Sequence, residues 1–433
     1  MLLYALLLPS ILSRAMTTEA FGAYALGLQF VPFLMLLATP IQQSLTPRFA
    51  RLNADGAASE SIDLFRTSIR LLGVAAFLAV IASIAASQLL PVVFGWRPEF
   101  AVVASKSIAI LGIAAALSFP VFSVTSFASG RQDFLWENIL KCSGPFGGLA
   151  LVSIWMLLSS KIGVQLVPLH VIYLFATATV AAALLIGVLG SKFIPLKESI
   201  FGKLDRGAIY LHLGAARGVL WWQLCALLSV SVAPFIVSSV EPTKVAGFVV
   251  SSSLMSVLAG LSSVIAGPLA VKMGQYAARD VTSRTNIFLK LQRPFQAFLI
   301  GSTSVVLILP ISLFEWWVGS ALAQQISTLI VPLALANLFR QMTGPYTAAL
   351  LGLDLQNKLW LSPAVEAVGS VMFGALLGTY FGATGVAYGI LVASSLRLIL
   401  TAIHDIPATR SALHLSLMDL VLPFRVNIFK SRT

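Results

Sequence analysis

Apolar runs of about 20 residues, the length that crosses a ~30 Å hydrocarbon core as helix, recur along the whole chain. They cover residues 2–12, 21–46, 68–93, 107–128, 142–160, 164–190, 213–240, 245–271, 295–317, 326–351, 359–381 and 383–403. Backbone amides and carbonyls find no water in hydrocarbon, so a crossing segment must satisfy its own hydrogen bonds, and runs of this length do so as helices. The sequence therefore predicts an all-α, polytopic transmembrane bundle of about twelve helices. Only 10% of its residues are charged, against roughly 25% in soluble domains. The first run is short, about 16 Å at 1.5 Å per residue. It lacks the basic flank and small-residue cleavage site of a signal peptide, so it is read as a first helix whose start is missing.

The loops carry an orientation signal. Of the 28 Lys and Arg residues, 21 fall in alternate loops and the C-terminal tail, five in the opposite set, and Arg340 and Arg397 lie inside runs. This positive-inside asymmetry places both termini in the cytoplasm. It also accounts for the net charge of +12 through membrane lipid: the basic residues sit in short loops without interleaved aromatics, which disfavours nucleic acid. Cys142 and Cys225 are isolated in apolar runs, and His170, His212, His404 and His414 show no ligand spacing. Neither a metal nor a cofactor is expected.

A weak internal repeat divides the chain. Phe21-Gly22-Ala23-Tyr24 opens the second run and Ala246-Gly247-Phe248 the eighth, 225 positions on; each run ends in proline followed by a basic residue, Pro47-Arg48 and Pro268 with Lys272. Gly130 recurs as Gly352, and Gly163 as Gly385, both at an offset of 222. Two six-helix lobes follow, at 1–190 and 207–405, with a cytoplasmic linker at 191–206 and a basic cytoplasmic tail at 406–433. An even number of spans gives both lobes the same topology, so their axis of symmetry runs along the membrane normal. A central cavity between them would open alternately to each side.

Three short motifs carry a family likeness. Arg14-Ala15-Met16-Thr17-Thr18-Glu19-Ala20-Phe21-Gly22-Ala23-Tyr24 is a basic residue, a short acidic loop and then aromatic-Gly-x-Tyr; Gly130-Arg131-Gln132-Asp133-Phe134 is a basic turn; Phe381-Gly382-Ala383-Thr384-Gly385-Val386 begins the last helix. With them the chain resembles the polysaccharide (oligosaccharidyl-lipid) flippases of the multidrug/oligosaccharidyl-lipid/polysaccharide exporter superfamily, from Leu2 to about Ile403. The resemblance implies a non-enzymatic carrier in the bacterial inner membrane. It would move undecaprenyl-pyrophosphate-linked oligosaccharide to the outer leaflet during polysaccharide biosynthesis, alongside other polysaccharide-assembly proteins. The chain departs from the family at Val232-Ala233-Pro234-Phe235, where many relatives carry an aspartate, so no role of that carboxylate transfers.

Ionisable groups inside a membrane cost about 2.5–3.5 kcal/mol each on insertion scales, so each one needs a reason. Arg340, Glu366 and Arg397 are interior, at depths within about 8 Å of one another by helix rise. They could form a structural ion-pair cluster, or one arginine could face a cavity and hold phosphate while Glu366 modulates it. Asn337, Arg340 and Gln341 share a helix face. Arg14, beside the family-like loop, and Arg217, followed by Trp221-Trp222, complete the candidate substrate contacts; the tryptophan pair equally suits an interfacial belt. Pro32, Pro40, Pro120, Pro234 and Pro332 should kink their helices. A drug/cation antiporter of the same superfamily would want cavity carboxylates, whereas only Glu366 lies deep. A membrane polymerase or glycosyltransferase would want paired external carboxylates, and Glu19, Glu99, Glu241 and Glu315 are scattered.

Overall fold

The computed structural model describes residues 2–131, 134–162, 167–190, 220–221, 223–275, 281–353, 355 and 360–413. Arg217, Trp222, the 191–206 linker and the tail beyond residue 413 lie outside the described residues. Every regular element among them is helical. Eight of the helical stretches are long and apolar enough to cross a membrane, and a ninth qualifies as a bent pair.

Helix α1 spans Leu2–Ala15, and the second apolar run is two helices, α2 (Thr18–Met35) and α3 (Thr39–Ala54). Thr17 caps α2 by accepting from the Ala20 amide at 3.3 Å. The break at residues 36–38 falls between Pro32 and Pro40, which withhold two amides from the helical ladder. Helix α4 (Ala58–Val93) is unbroken. The fourth run is α5 (Pro98–Leu117) and α6 (Val121–Gly130), parted at Ser118-Phe119-Pro120; α7 (Phe134–Ile162) and α8 (Pro168–Gly190) follow. The seventh span, Gln223–Val240, breaks at Ser231-Val232 before α9 (Ala233–Val240). Helix α10 (Val245–Gln275) precedes α11 (Val281–Ile308) and α12 (Ile311–Val318), and the latter two meet at 82° beside Pro310. The ninth apolar run is thus bent and not straight. Helix α13 (Ser320–Met342) runs through Pro332, and the tenth run breaks later, at Thr343 before α14 (Gly344–Gly352) and its Pro345.

The last two runs form α15 (Leu361–Leu400), a hairpin. At Gly382 the backbone takes φ 60° and ψ −145°, a region closed to residues with a side chain. The arms then pack at backbone contact: a Cβ on Gly389 would lie 2.5 Å from Gly374 N, and one on Gly369 3.2 Å from the Ala393 Cβ. Helix α16 (Ile406–Leu413) follows a π-helical turn at Thr401–Asp405.

The packing is that of a lipid-solvated protein. Along α4 the buried face carries Ala75, Ala76, Ala79, Ser83 and Ser87, while Phe77, Ile81, Ile84, Leu89 and Val92 are exposed. Small residues inside and large apolar residues outside suit hydrocarbon, where close approach of helices and not apolar burial drives association. In water so wide an apolar face would be an aggregation site.

The chain forms two compact units. Unit 1 is Met1–Leu227 with Pro234–Val249 and Glu315–Leu322, the last two being stretches that the repeat assigns to the second lobe. A core of Leu45, Phe49, Phe65, Leu72 and Val124 holds α3, α4 and α6 together. The distant stretches are bound into it by specific contacts. The Trp96 indole donates to Ser238 Oγ at 2.7 Å, Trp317 Nε1 donates to the Leu6 carbonyl at 2.8 Å, and a Cβ on Gly22 would lie 3.1 Å from that of Val245. Unit 2 is Leu228–Ala233, Val250–Phe314 and Ala323–Thr433, with Leu269, Met273, Phe288, Tyr346 and Leu413 in its core. There Gln292 Nε2 donates to the Tyr346 hydroxyl at 2.8 Å, and Asp405 accepts from Ser362 at 2.8 Å and Thr401 at 3.1 Å.

Candidate functional site

Unit 2 brings together the three interior charges. Glu366, on the first arm of the α15 hairpin, is fully buried, and each carboxylate oxygen is engaged. Oε1 accepts from Arg340 Nε at 2.5 Å and from the Ser394 hydroxyl at 3.0 Å, and Oε2 accepts from Arg397 Nη1. The hairpin explains the geometry: Glu366 and Arg397 face each other because the chain reverses at Gly382, and Arg340 arrives from α13. Arg340 Nη2 also reaches the Ser229 carbonyl at 3.5 Å, next to the break at Ser231-Val232.

The two arginines differ in what they border. The Arg340 side chain is 18% exposed and lines a cavity of about 130 Å³ with Asn337, Gln341, Ser229, Ser252 and Ser256, whereas the Arg397 side chain is 12% exposed and lies away from this cavity's wall. Two guanidinium groups and one carboxylate leave the cluster with one surplus positive charge, which reaches the cavity through Arg340. The charge of this carboxylate is already outweighed by two guanidinium groups, so it offers a further cation no net attraction.

Unit 1 holds a larger cavity, about 680 Å³, against α2, α3, α5–α6, α7 and α8. Its walls are apolar over most of their area, with Thr39, Gln42 and Thr46 along one face of α3, and Ser118, Thr125 and Thr179 opposite. Apart from the phenol of Tyr4, the described residues of its lining carry no ionisable side chain. Among the described residues, no carboxylate lines either cavity.

The remaining sequence candidates lie elsewhere. Arg14 is exposed in unit 1, where Nη2 donates to the Trp316 carbonyl at 3.3 Å. Arg131 stacks over the Phe127 ring, 4.8 Å from its centroid. Trp221 and Trp316 are exposed. Sequence reasoning missed Ser229 and Ser394, because hydroxyls cost little in a membrane helix and give no signal of their own. It also missed the unit 1 cavity. Its one usable signal was the Thr39, Gln42, Thr46 spacing, one polar residue per helical turn.

No protein-family model matches the sequence, and no curated protein matches it. Several solved structures are similar to it. An inward-facing multidrug resistance MATE family transporter of the MOP superfamily superposes with a TM-score of 0.78 at 16% identity, over 96% of each chain. The lipid II flippase MurJ, in an inward closed conformation, gives 0.72 at 13% identity, over 98% of this chain and 91% of that one. A MOP superfamily transporter from Pyrococcus furiosus Vc1 (DSM3638) gives 0.56 at 13% identity, over 95% and 96%. The chain therefore has the all-α, multi-span membrane fold of the MOP superfamily transporters, with about twelve helices.

Proposed function

We propose that the chain is a non-enzymatic membrane transporter that carries an anionic amphiphile, undecaprenyl-pyrophosphate-linked oligosaccharide, from the cytoplasmic to the outer leaflet by alternating access of two six-helix lobes. Arg340 and the surplus charge behind it carry this reading: the described residues around the cavity it borders offer a guanidinium and amide side chains, and no carboxylate. Guanidinium suits pyrophosphate because its planar fork bonds two oxygens at once. Asn337 and Gln341 supply further donors on the same helix face, and Glu366 holds the guanidinium in place. Arg14 and Arg217 are proposed as secondary contacts for the headgroup. Both termini would lie on the cytoplasmic side of a bacterial inner membrane.

The likeness to a lipid II flippase supports a lipid-linked cargo. The higher TM-score to a multidrug resistance transporter favours a second reading, drug export. The P. furiosus transporter is described by the reverse polarity of its pocket, so likeness of fold leaves the cargo open and the cavity lining has to decide. A cation exporter needs an acceptor of positive charge, and in this chain the deep carboxylate is committed to two guanidinium groups. Depletion of the protein in a polysaccharide-producing host should leave lipid-linked repeat units accumulating on the cytoplasmic leaflet, with Arg340→Gln giving the same phenotype at normal membrane abundance. Unchanged lipid-linked pools would refute the reading.

A further inference from the structure

The unit 1 cavity has a chemistry of its own. At about 680 Å³ it falls within the roughly 300–1,000 Å³ of small-molecule sites, and three of its polar side chains can only accept hydrogen bonds. The Ser118, Thr125 and Thr179 hydroxyls donate to their own helices, at the carbonyls of Ala115 (2.6 Å), Phe122 (3.1 Å) and Phe175 (2.9 Å). Their protons are thus committed, and each oxygen keeps lone pairs for a donor from outside. Pro32 adds another acceptor. It has no amide for the Leu28 carbonyl one turn earlier, and both Leu28 and Pro32 line the cavity. Gln42 can donate or accept. Phe122 and Phe175 supply flat apolar walls.

A ligand suited to this lining has many hydroxyl donors, an apolar face and no charge. An alkyl chain would leave the acceptors without donors, which costs about 1–3 kcal/mol for each buried group. Among the described lining residues a cation would find no carboxylate and an anion no guanidinium or ammonium group. We infer that this cavity binds a neutral polyhydroxylated group, the uncharged sugar portion of a glycolipid. The identification of the natural ligand rests on the proposed transport function; the binding chemistry does not.

The test uses protein reconstituted in lipid nanodiscs without glycoside detergent, titrated with tritiated hexyl β-maltoside, with empty nanodiscs subtracted. Hexyl β-glucuronide, hexyltrimethylammonium and hexanol serve as anionic, cationic and plain apolar competitors. Saturable maltoside binding is expected, displaced by none of the three at equal concentration and weakened about tenfold by the paired change Gln42→Leu and Thr46→Val, as loss of one or two hydrogen bonds requires. Thr179→Trp, which fills the cavity, should abolish binding; if it does not fold, the paired variant decides. Equal displacement by the ammonium, the glucuronide or hexanol would overturn the inference, as would absence of maltoside binding to folded protein. Because the maltoside carries no phosphate, its failure would leave the Arg340 reading standing. Conversely, a failure of pyrophosphate transport with maltoside binding intact would count against that reading alone.

Discussion

Neutralising Glu366 should cost far more stability than neutralising Arg340, although both break the same ion pair. Glu366→Gln removes the carboxylate that holds Arg340 and Arg397 and leaves two cations facing each other in a buried site. Losing one partner of a buried pair costs about 3–5 kcal/mol, chiefly because the other charge is stranded, and here two are stranded at once. Arg340→Gln leaves Glu366 with Arg397 and the Ser394 hydroxyl. What goes is one charge-assisted hydrogen bond to Glu366, worth roughly 1.5–3 kcal/mol and reduced because the Arg340 side chain is 18% exposed, together with the long 3.5 Å contact to the Ser229 carbonyl. About 1–2 kcal/mol is therefore expected for Arg340→Gln, against at least about 4 for Glu366→Gln. The triple variant Arg340→Gln, Glu366→Gln, Arg397→Gln strands no charge and should recover most of the loss. Thermal unfolding in nanodiscs, with membrane abundance in cells as a second readout, measures the order. Equal losses for the two single variants, or a triple variant less stable than Glu366→Gln alone, would refute the idea that stranded charge sets the cost.

Other contacts make further predictions. Gly389→Leu should separate the arms of the α15 hairpin, since even a Cβ at that position meets the Gly374 backbone nitrogen at 2.5 Å; a loss of about 3 kcal/mol and poor membrane abundance are expected, while Gly301→Leu, in open space, should be neutral. Trp96→Phe and Ser238→Ala each remove the buried 2.7 Å hydrogen bond between these side chains, at about 1 kcal/mol. A double-mutant cycle should show the two losses overlapping, and strict additivity would mean that the bond contributes nothing.

Charge and length were the legible signals. Arg340, Glu366 and Arg397 could be grouped from the sequence because an ionised group in hydrocarbon is costly enough to demand a partner, and helix rise fixed their depths. The reversal that joins two of them was visible as the single residue, Gly382, left between the last two apolar runs. Helix ends were not visible from hydropathy. Helix α4 begins at Ala58, well before the apolar run at Ser68, and α11 at Val281, before Phe295, because a helix need not stop where the hydrocarbon does. An i,i+3 pair such as Asp63–Arg66, at 2.9 Å, belongs to such an extension. Prolines were an uneven guide. The breaks near Pro40, Pro120 and Pro234 lie where proline removes an amide, yet α13 continues through Pro332 and the chain breaks at Thr343. A proline kinks a helix only as far as its neighbours allow, and neighbours are not written in one helix's sequence. The neutral cavity of unit 1 stayed hidden for the same reason, since threonine and serine look alike whether they face a cavity or a packed helix.

Transport of a defined cargo by purified protein separates flipping of a pyrophosphate lipid from drug export. Proteoliposomes carrying a fluorescent, short-chain polyprenyl-pyrophosphate disaccharide in both leaflets would be probed with a membrane-impermeant quencher, with a cationic dye assayed in parallel. Protein-dependent, saturable movement of the pyrophosphate lipid is expected, lost in Arg340→Gln, with no uptake of the dye. Dye transport with an immobile pyrophosphate lipid would contradict the proposed function.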